Sequence, residues 1–270
     1  MSLNYSKSWL QFLSEVERVK ESLDFEENEE CFFRGHTQTS YSLIPGLYRG
    51  LKKHYKKIPD YLWQTESDLF YEFRSKARDL HSLNLIDWDI LFYMQHHGVK
   101  TRLLDWSESL GVAMYFALLD YKKDLSNPCI WIMNPFKLNE EYHESRDLWD
   151  PILLNYYENY YKKGESYDDL ILYENTGDII PWNEPIALYP VRRASRLATQ
   201  SGYFTVHGND SRPIEKIIPE GKKIYKKIVL PHQAVDSAKA FLEHAGINQF
   251  SLFPDMDGLA EYLNKKYLSK

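Results

Sequence analysis

The spacing of hydrophobic positions predicts helices toward both ends of the chain. Apolar residues recur every three or four positions over residues 8–23, which predicts an amphipathic helix, and an acidic connector over residues 24–30 follows. A long helix with one apolar face is predicted after Pro59. Toward the C-terminus, the same spacing predicts a helix that ends at Gly246 and one last helix beyond it.

The middle of the chain alternates between helices and short extended segments. Residues 88–97 are predicted to form a helix that ends at Gly98, because glycine readily adopts the left-handed conformation after a helix. Residues 101–105 form a short extended piece, and Ser107 is expected to cap a helix over residues 110–119. That helix is apolar nearly all round, so we expect it at the centre of the fold.

Short apolar runs bounded by polar residues predict the strands. A first strand begins at residues 31–32, and the other runs lie at residues 130–133, 202–207, 224–230 and 250–253. Between them, residues 139–183 carry seven tyrosines among charged residues, which indicates an inserted helical segment or lid. These elements predict a single α+β domain over residues 1–270.

Composition narrows the class of protein. Hydrophobic residues make up 43% and charged residues 27%, as in globular domains, and no apolar run suits a membrane span or a secretion signal. Two cysteines are too few for a disulfide framework, so we expect the cytoplasm. The net charge of -6 argues against charge-driven DNA coating, and 21 Tyr, 13 Phe and 7 Trp suit either a core or stacking surfaces.

Four polar motifs are candidates for chemistry. The first, Phe33-Arg34-Gly35-His36, follows an apolar strand, where Arg34 can hold a phosphate or carboxylate and Gly35 lets a ligand approach. The alternative interpretation of this motif is an arginine in a surface turn, which would use the same residue types.

The second motif, residues 95–107, is densely polar between two apolar helices, so several of its side chains must bond one another or a ligand. His96 and His97 are adjacent and lack metal-binding spacing, which disfavours a metal. Arg102 and Asp105 form either a structural ion pair or part of a site.

The third and fourth motifs lie toward the C-terminus. In residues 195–207, Gln200 offers a donor and an acceptor that suit a ribose hydroxyl or a helix cap. In residues 252–260, Asp255 is expected to cap the last helix. The sequence has no P-loop, GxSxG, GxGxxG or CxxC signature, which removes the commonest nucleotide-binding and hydrolase classes.

In this order the four motifs resemble the FRG-domain family, named for the element present as Phe33-Arg34-Gly35. The other matching segments are Gln95-His96-His97-Gly98, Thr101-Arg102-Leu103-Leu104-Asp105-Trp106, Gln200-Ser201-Gly202-Tyr203-Phe204-Thr205 and Leu252-Phe253-Pro254-Asp255-Met256-Asp257-Gly258-Leu259-Ala260. The resemblance spans residues 31–263, nearly the whole chain.

The same motifs are similar to ADP-ribosyltransferases of the arginine-containing class. Those enzymes begin with an aromatic-Arg-Gly element, continue with a serine-bearing strand that runs into a helix, and end with a glutamate-bearing strand. Phe33-Arg34-Gly35 and Asp105-Trp106-Ser107 match the first two elements, whereas Gln200 stands where the third has glutamate. The resemblance implies an ADP-ribosyltransferase-like split sheet core with flanking helices.

The resemblance also implies NAD as the substrate and no metal. Arg34 would bind the NAD phosphates or the adenosine ribose. Gln200 or a carboxylate such as Asp105 would hold the nicotinamide ribose as its glycosidic bond breaks, and His97 would orient or deprotonate the acceptor. The residues implied to bind NAD are Arg34, Gly35, Arg102, Asp105, Ser107 and Gln200.

The acceptor implied is RNA or protein. Arg192, Arg193 and Arg196, with the tyrosine-rich segment, suit single-stranded RNA, although a solvated basic turn explains them equally well. The resemblance further implies a bacterial toxin or phage-defence effector with an antitoxin protein as partner. Two other classes stay open: a non-enzymatic ligand- or partner-binding module, and a nuclease, which would need metal-binding carboxylates.

Overall fold

The computed structural model describes residues 5–81, 87–123, 126–150, 182–189 and 202–268. Six strands form one sheet in this part of the chain. They are β1 (Phe32–His36), β2 (Leu103–Ser107), β3 (Cys129–Met133), β4 (Ile186–Leu188), β5 (Gly202–Val206) and β6 (Tyr225–Val229). Their order is β4-β5-β2-β1-β3-β6, and all neighbouring strands are antiparallel.

Helices pack on this sheet or connect its strands. They are α1 (Lys7–Ser22), α2 (Asp60–His81), α3 (Asp87–His96), α4 (Leu110–Leu118), α5 (Pro135–His143), α6 (Ile214–Ile217), α7 (Val235–His244), α8 (Gln249–Leu252) and α9 (Met256–Leu268). Short 3-10 turns lie at Glu220–Lys222 and His232–Ala234. The predicted mixture of helices and strands is thereby confirmed. No helix in the described ranges is long and apolar enough to cross a membrane.

The sheet is split between β1 and β2. These two strands pair at a single position, Phe33 opposite Ser107. On either side of the split the pairing continues, because β1 pairs with β3 along its whole length and β2 does the same with β5. The β4-β5-β2 half and the β1-β3-β6 half are therefore joined by backbone bonding at one end only.

Each half of the sheet has its own helical cover. Helices α2 and α3 bury Leu103, Phe204 and Val206 of the β4-β5-β2 half. Helices α1, α4 and α7 bury Phe33 and Ile132 of the other half. A third cluster, which includes Phe32, Trp106 and Trp131, fills the opposite face, since alternate side chains of a strand point to opposite sides.

Helix α4 lies against β1 at a distance that only glycine permits. A Cβ atom added to Gly35 would lie 1.8 Å from the Ala113 carbonyl oxygen and 2.7 Å from the Ala117 nitrogen. The missing side chain of Gly35 therefore makes room for α4, and the sequence interpretation that it lets a ligand approach stays a prediction. The prediction that α4 is central is confirmed, since Ala113, Met114 and Ala117 are all buried.

The ends of several helices agree with the predicted signals, and one does not. Gly98 and Gly246 adopt positive φ angles of 81° and 68° after α3 and α7, and the Asp255 carboxylate accepts from the Gly258 nitrogen at the start of α9. Ser107, however, does not cap α4. The cap is Ser109, whose hydroxyl accepts from the Val112 nitrogen at 3.3 Å.

Two other segments differ from the sequence prediction. The run at residues 250–253 forms helix α8 instead of a strand, because Asn248 caps it in a reciprocal arrangement with Ser251. Residue 139, the predicted start of the insertion, lies inside α5. The buried Asn139 side chain bonds both the nitrogen and the carbonyl of Ala187 in β4, so this stretch belongs to the core. Residues 151–181 of the insertion lie outside the described residues.

Candidate functional site

A cleft of about 390 Å³ opens where the two halves of the sheet separate. Strands β1, β2 and β5, helices α3 and α4, and the residue after α8 all contribute to its walls. The polar or charged side chains among its lining residues include Arg34, His36, Gln95, His96, Asp105 and Ser107. The aromatic ones are Phe33, Tyr41, Trp106, Phe116, Tyr203, Phe204 and Phe253.

Arg34 bridges the split from the β1 side. Its Nη1 donates to the Asp105 carbonyl oxygen at 2.5 Å and lies 3.7 Å from the Asp105 carboxylate. Burial lowers the pKa of the guanidinium, and the Asp105 charge opposes that shift. The side chain is 17% exposed, and its hydrogen bonds to described residues use only Nε and Nη1. Among the described residues, the Nη2 group therefore has no hydrogen-bond partner.

His36 holds the other edge of the Arg34 guanidinium. Burial lowers the pKa of His36 to about 3, and the nearby Arg34 charge adds to the shift, so the ring is neutral at pH 7. Its Nε2 accepts from Arg34 Nε at 3.1 Å, and its Nδ1 lies 3.3 Å from the Tyr41 carbonyl oxygen and 3.2 Å from the Trp131 indole nitrogen. His36 is not among the site residues predicted from the sequence. Its position two residues after Arg34, on the same face of the strand, was the available signal.

The Asp105 carboxylate is held at the cleft by a chain of hydrogen bonds. Gln95 donates from Nε2 to Asp105 Oδ2 at 2.8 Å and accepts from the Thr101 hydroxyl at 2.7 Å. The Thr101 oxygen accepts from the Leu103 nitrogen at 3.0 Å. Because the Asp105 side chain is 53% exposed, the carboxylate keeps access to the cleft while Gln95 fixes its direction. Gln95 and Thr101 are the orienting residues that the sequence analysis did not single out.

Ser107 lies at the closed end of the split. It is buried, lines the cleft, and its hydroxyl accepts from the Ser109 nitrogen at 3.1 Å. Next to it, the exposed Glu108 accepts from the hydroxyl of Tyr203, a lining residue of β5, at 3.0 Å. A second carboxylate is thus anchored near the cleft, and sequence reasoning did not single it out.

Arg102 lies in the core and not in the cleft lining. It is fully buried, and its guanidinium donates to both carboxylate oxygens of Glu66, with Nε 2.7 Å from Oε1. It also donates to the His207 carbonyl at 3.1 Å and lies 4.4 Å from the centre of the Trp63 ring. Its acidic partner is Glu66 and not Asp105, so the ion pair considered from the sequence does not form.

The other residues predicted from the sequence lie outside the cleft lining or outside the described residues. His97 is exposed outside the cleft lining, while its neighbour His96 contributes to that lining. Gln200 and the arginines at 192, 193 and 196 lie outside the described residues, although Gly202, two positions after Gln200, lines the cleft. In the described ranges, no group of three or more His, Cys, Asp or Glu side chains is arranged to hold a metal ion.

Fold and site together define a mixed α/β domain with a charged and aromatic cleft at a split antiparallel sheet. Residues 29–125 match the family model of the FRG domain, and the chain therefore contains an FRG domain. The match runs from just before β1 to just after α4, so it includes Arg34, Gln95, Asp105 and Ser107. No curated protein and no solved structure matches the chain.

Proposed function

We propose that this protein is an NAD-dependent ADP-ribosyltransferase that modifies a cellular macromolecule, RNA or protein. One observation carries the proposal. A guanidinium from β1 and a carboxylate from β2 meet in one cleft, and each keeps access to a ligand. NAD needs both charges, because its pyrophosphate is anionic and its nicotinamide ribose becomes cationic as the glycosidic bond breaks.

In the proposed reaction, the bond between ribose C1′ and the nicotinamide nitrogen breaks, and nicotinamide leaves with the electron pair. The Asp105 carboxylate, whose direction is set by Gln95, stabilises the oxocarbenium-like ribosyl cation that remains. A nucleophilic atom of the acceptor then bonds to C1′ and loses its proton. His96, which lines the cleft, is better situated than His97 to receive that proton.

The size and walls of the cleft also support the proposal. Its volume of about 390 Å³ is within the range of roughly 300–1,000 Å³ that small-molecule sites occupy. Phe116, Tyr203 and Phe253 offer ring faces or edges against which nicotinamide or adenine can stack. Phe253 and Phe116 contact each other edge to face, with centroids 6.1 Å apart, so that wall is held in place.

The test is incubation of the purified protein with NAD labelled in the adenylate and with total cell lysate. We expect labelled RNA or protein, and loss of the label with Arg34→Ala. Arg18→Ala is the matched control, because Arg18 is an exposed arginine on α1 that pairs with Glu15. Release of nicotinamide measured in parallel separates transfer from simple hydrolysis of NAD.

Two outcomes would contradict the proposal. RNA cleavage that proceeds without NAD would indicate a nuclease. Absence of both NAD binding and NAD turnover across lysates and ionic conditions would leave only a binding function.

The toxin or defence role belongs to the same proposal, and its test is growth of a bacterial host that expresses wild-type protein or Arg34→Ala.

A binding module is the second candidate, and one contact favours it. The bond from Arg34 to the Asp105 carbonyl joins the two halves of the sheet without any ligand. If this bond is the whole role of Arg34, then Arg34→Ala will lower the free energy of unfolding and leave ligand binding unchanged in the fraction that folds. The transferase proposal expects Arg34→Ala to change the free energy of unfolding little and to weaken ligand binding strongly.

A further inference from the structure

A row of basic side chains extends from the cleft across the β1-β3-β6 half of the sheet. Trp131 of β3 is the register partner of both Arg34 on β1 and Lys227 on β6, so all three side chains share one face. Neighbouring strands are about 4.8 Å apart, which puts the Cα atoms of Arg34 and Lys227 at a distance of roughly 10 Å.

Side-chain contacts make this row continuous. The Lys227 ammonium lies 4.7 Å from the centre of the Trp131 ring. The Trp131 indole nitrogen is 3.2 Å from His36 Nδ1, and His36 Nε2 accepts from Arg34. Lys227 also donates to the Thr39 carbonyl at 3.0 Å, in the loop whose Thr37 and Tyr41 line the cleft. Lys227 is therefore held against the loop that borders the cleft, and it is exposed.

Arg49 is a third cation, on the segment that follows Tyr41 of the cleft lining. It is exposed, and its Nη2 donates to the Ile44 carbonyl at 3.3 Å. Burial is the main cause of the lowered pKa of Arg34 and of His36, and the charge of Arg49 contributes to both shifts. Arg49 is therefore close enough for its field to reach both groups.

The charges at this end of the cleft do not cancel. Among the described residues, neither Arg49 nor Lys227 forms a salt bridge, whereas the adjacent Lys226 pairs with Glu220 at 3.0 Å. The Asp105 carboxylate, 3.7 Å from Arg34, is the acidic group of the cleft wall at this point. Three cations against one carboxylate leave an excess of two positive charges, in a chain with a net charge of -6. The pyrophosphate of a dinucleotide carries two negative charges at neutral pH.

We infer that Arg49 and Lys227 join Arg34 in a binding site for the pyrophosphate group of a dinucleotide, at the His36 end of the cleft. The inference rests on the proposed use of NAD and names two residues that would help to hold it. Arg34 supplies the directed donors of its Nη2 group, and the two exposed cations supply charge and direct an anion to the cleft.

The test is isothermal titration calorimetry with ADP-ribose and with inorganic pyrophosphate, since both carry the group without a bond that can turn over. We expect Lys227→Gln and Arg49→Gln each to weaken ADP-ribose binding about threefold to fivefold, the range for exposed charge pairs, and the double variant about tenfold or more. Binding should weaken as salt is raised, and less steeply in the double variant. Adenosine, which lacks the pyrophosphate, should bind all variants equally.

The matched controls are Lys226→Gln and Arg18→Gln, which remove the same charge from exposed, ion-paired positions. The inference is overturned if the Lys227 and Arg49 variants bind ADP-ribose as tightly as these controls, or if adenosine affinity falls equally. It is also overturned if the two variants weaken binding of a single-stranded oligonucleotide and leave ADP-ribose binding unchanged. Charge-dependent ADP-ribose binding without transfer to any acceptor would sustain this site and reject the transferase. Transfer of ADP-ribose that is insensitive to both substitutions would support the transferase and reject this site.

Discussion

Two arginines of the FRG domain, Arg34 and Arg102, have similar local sequence contexts and opposite surroundings in the fold. Arg34 lies within a short strand, Arg102 directly precedes one, and both are among conspicuous polar residues. Arg102 is fully buried, with both carboxylate oxygens of Glu66, a carbonyl and the Trp63 ring around it. Arg34 is partly exposed and directs two of its nitrogens at the neutral His36 ring and a carbonyl.

The difference shows how partners separate a structural arginine from one that can bind. A buried guanidinium that donates to both oxygens of one carboxylate has its charge compensated and its donors satisfied. A guanidinium whose bonded acceptors are mainly neutral has less of its charge compensated and retains donors, so an anion entering the cleft gains more from it. Substitution of Arg102 should therefore act mainly on stability, and substitution of Arg34 mainly on binding and catalysis.

The largest effect is expected for Arg102→Met. Loss of the guanidinium leaves the Glu66 carboxylate buried without a counter-charge, and we expect the free energy of unfolding to fall by about 3–5 kcal/mol. Urea unfolding followed by circular dichroism measures it. The double variant Arg102→Met with Glu66→Leu should recover most of the loss, because it removes both charges together. A small loss of stability with a large loss of NAD binding would instead place Arg102 in the site.

Arg34→Ala should show the reverse pattern. If Arg34 binds the transferring nucleotide, kcat/KM for NAD should fall about 100-fold to 1,000-fold, as for loss of one pre-positioned donor, while the free energy of unfolding falls by only about 1 kcal/mol. Arg34→Lys should not restore activity, since a lysine lacks the planar fork that reaches His36 and Asp105 together. Restored activity in Arg34→Lys would show that a positive charge alone is sufficient at this position.

Gly35→Ala examines the residue between the binding arginine and its histidine. Because a Cβ atom would overlap the Ala113 carbonyl, the variant must move α4 away from β1, and we expect a loss of about 2–3 kcal/mol in the free energy of unfolding. Thermal and urea unfolding measure this loss. Unchanged stability with weakened NAD binding would support the original sequence interpretation, in which Gly35 makes room for a ligand.

The same residues explain how far sequence reasoning could go. Helix α4 and strand β3 were predicted because uninterrupted apolar runs in a central element leave few alternatives. The partner of Arg102 was not predicted, since Glu66 lies 36 positions away on α2. Local spacing carries no information about that contact. The run at residues 250–253 was taken as a strand because it is apolar, although the Asn248 cap decides for a helix.

The candidate site was only partly accessible to sequence reasoning for a related reason. Motif order pointed to Arg34, Asp105 and Ser107, which line one cleft. The contact that defines the site joins Arg34 to a backbone carbonyl 71 positions later, and a carbonyl has no residue type to recognise. The neutral state of His36 likewise depends on burial, which appears only in the packed fold.

His36→Gln tests that neutral state through the pH dependence of stability. In the folded protein the pKa values of His36 and His207 are lowered to about 3 and that of His143 to about 4, mainly by burial. The unfolded chain therefore binds more protons between pH 6.5 and these values, and the free energy of unfolding falls as pH drops through this window. Each histidine contributes up to about 1.4 kcal/mol per pH unit. We expect the variant to flatten the slope by about one proton, and an unchanged slope would mean that His36 is charged in the fold.

The smallest expected effect distinguishes Ser107, the last residue of β2, from Ser109, which lies between β2 and α4. Ser109→Ala removes the cap of α4 and should lower the free energy of unfolding by about 1 kcal/mol, while Ser109→Asp should retain most of it. Ser107→Ala keeps this cap but alters the cleft lining, so its larger effect should be on kcat/KM for NAD. Equal effects of both alanine variants on stability and on activity would show that capping and binding are not divided between these positions.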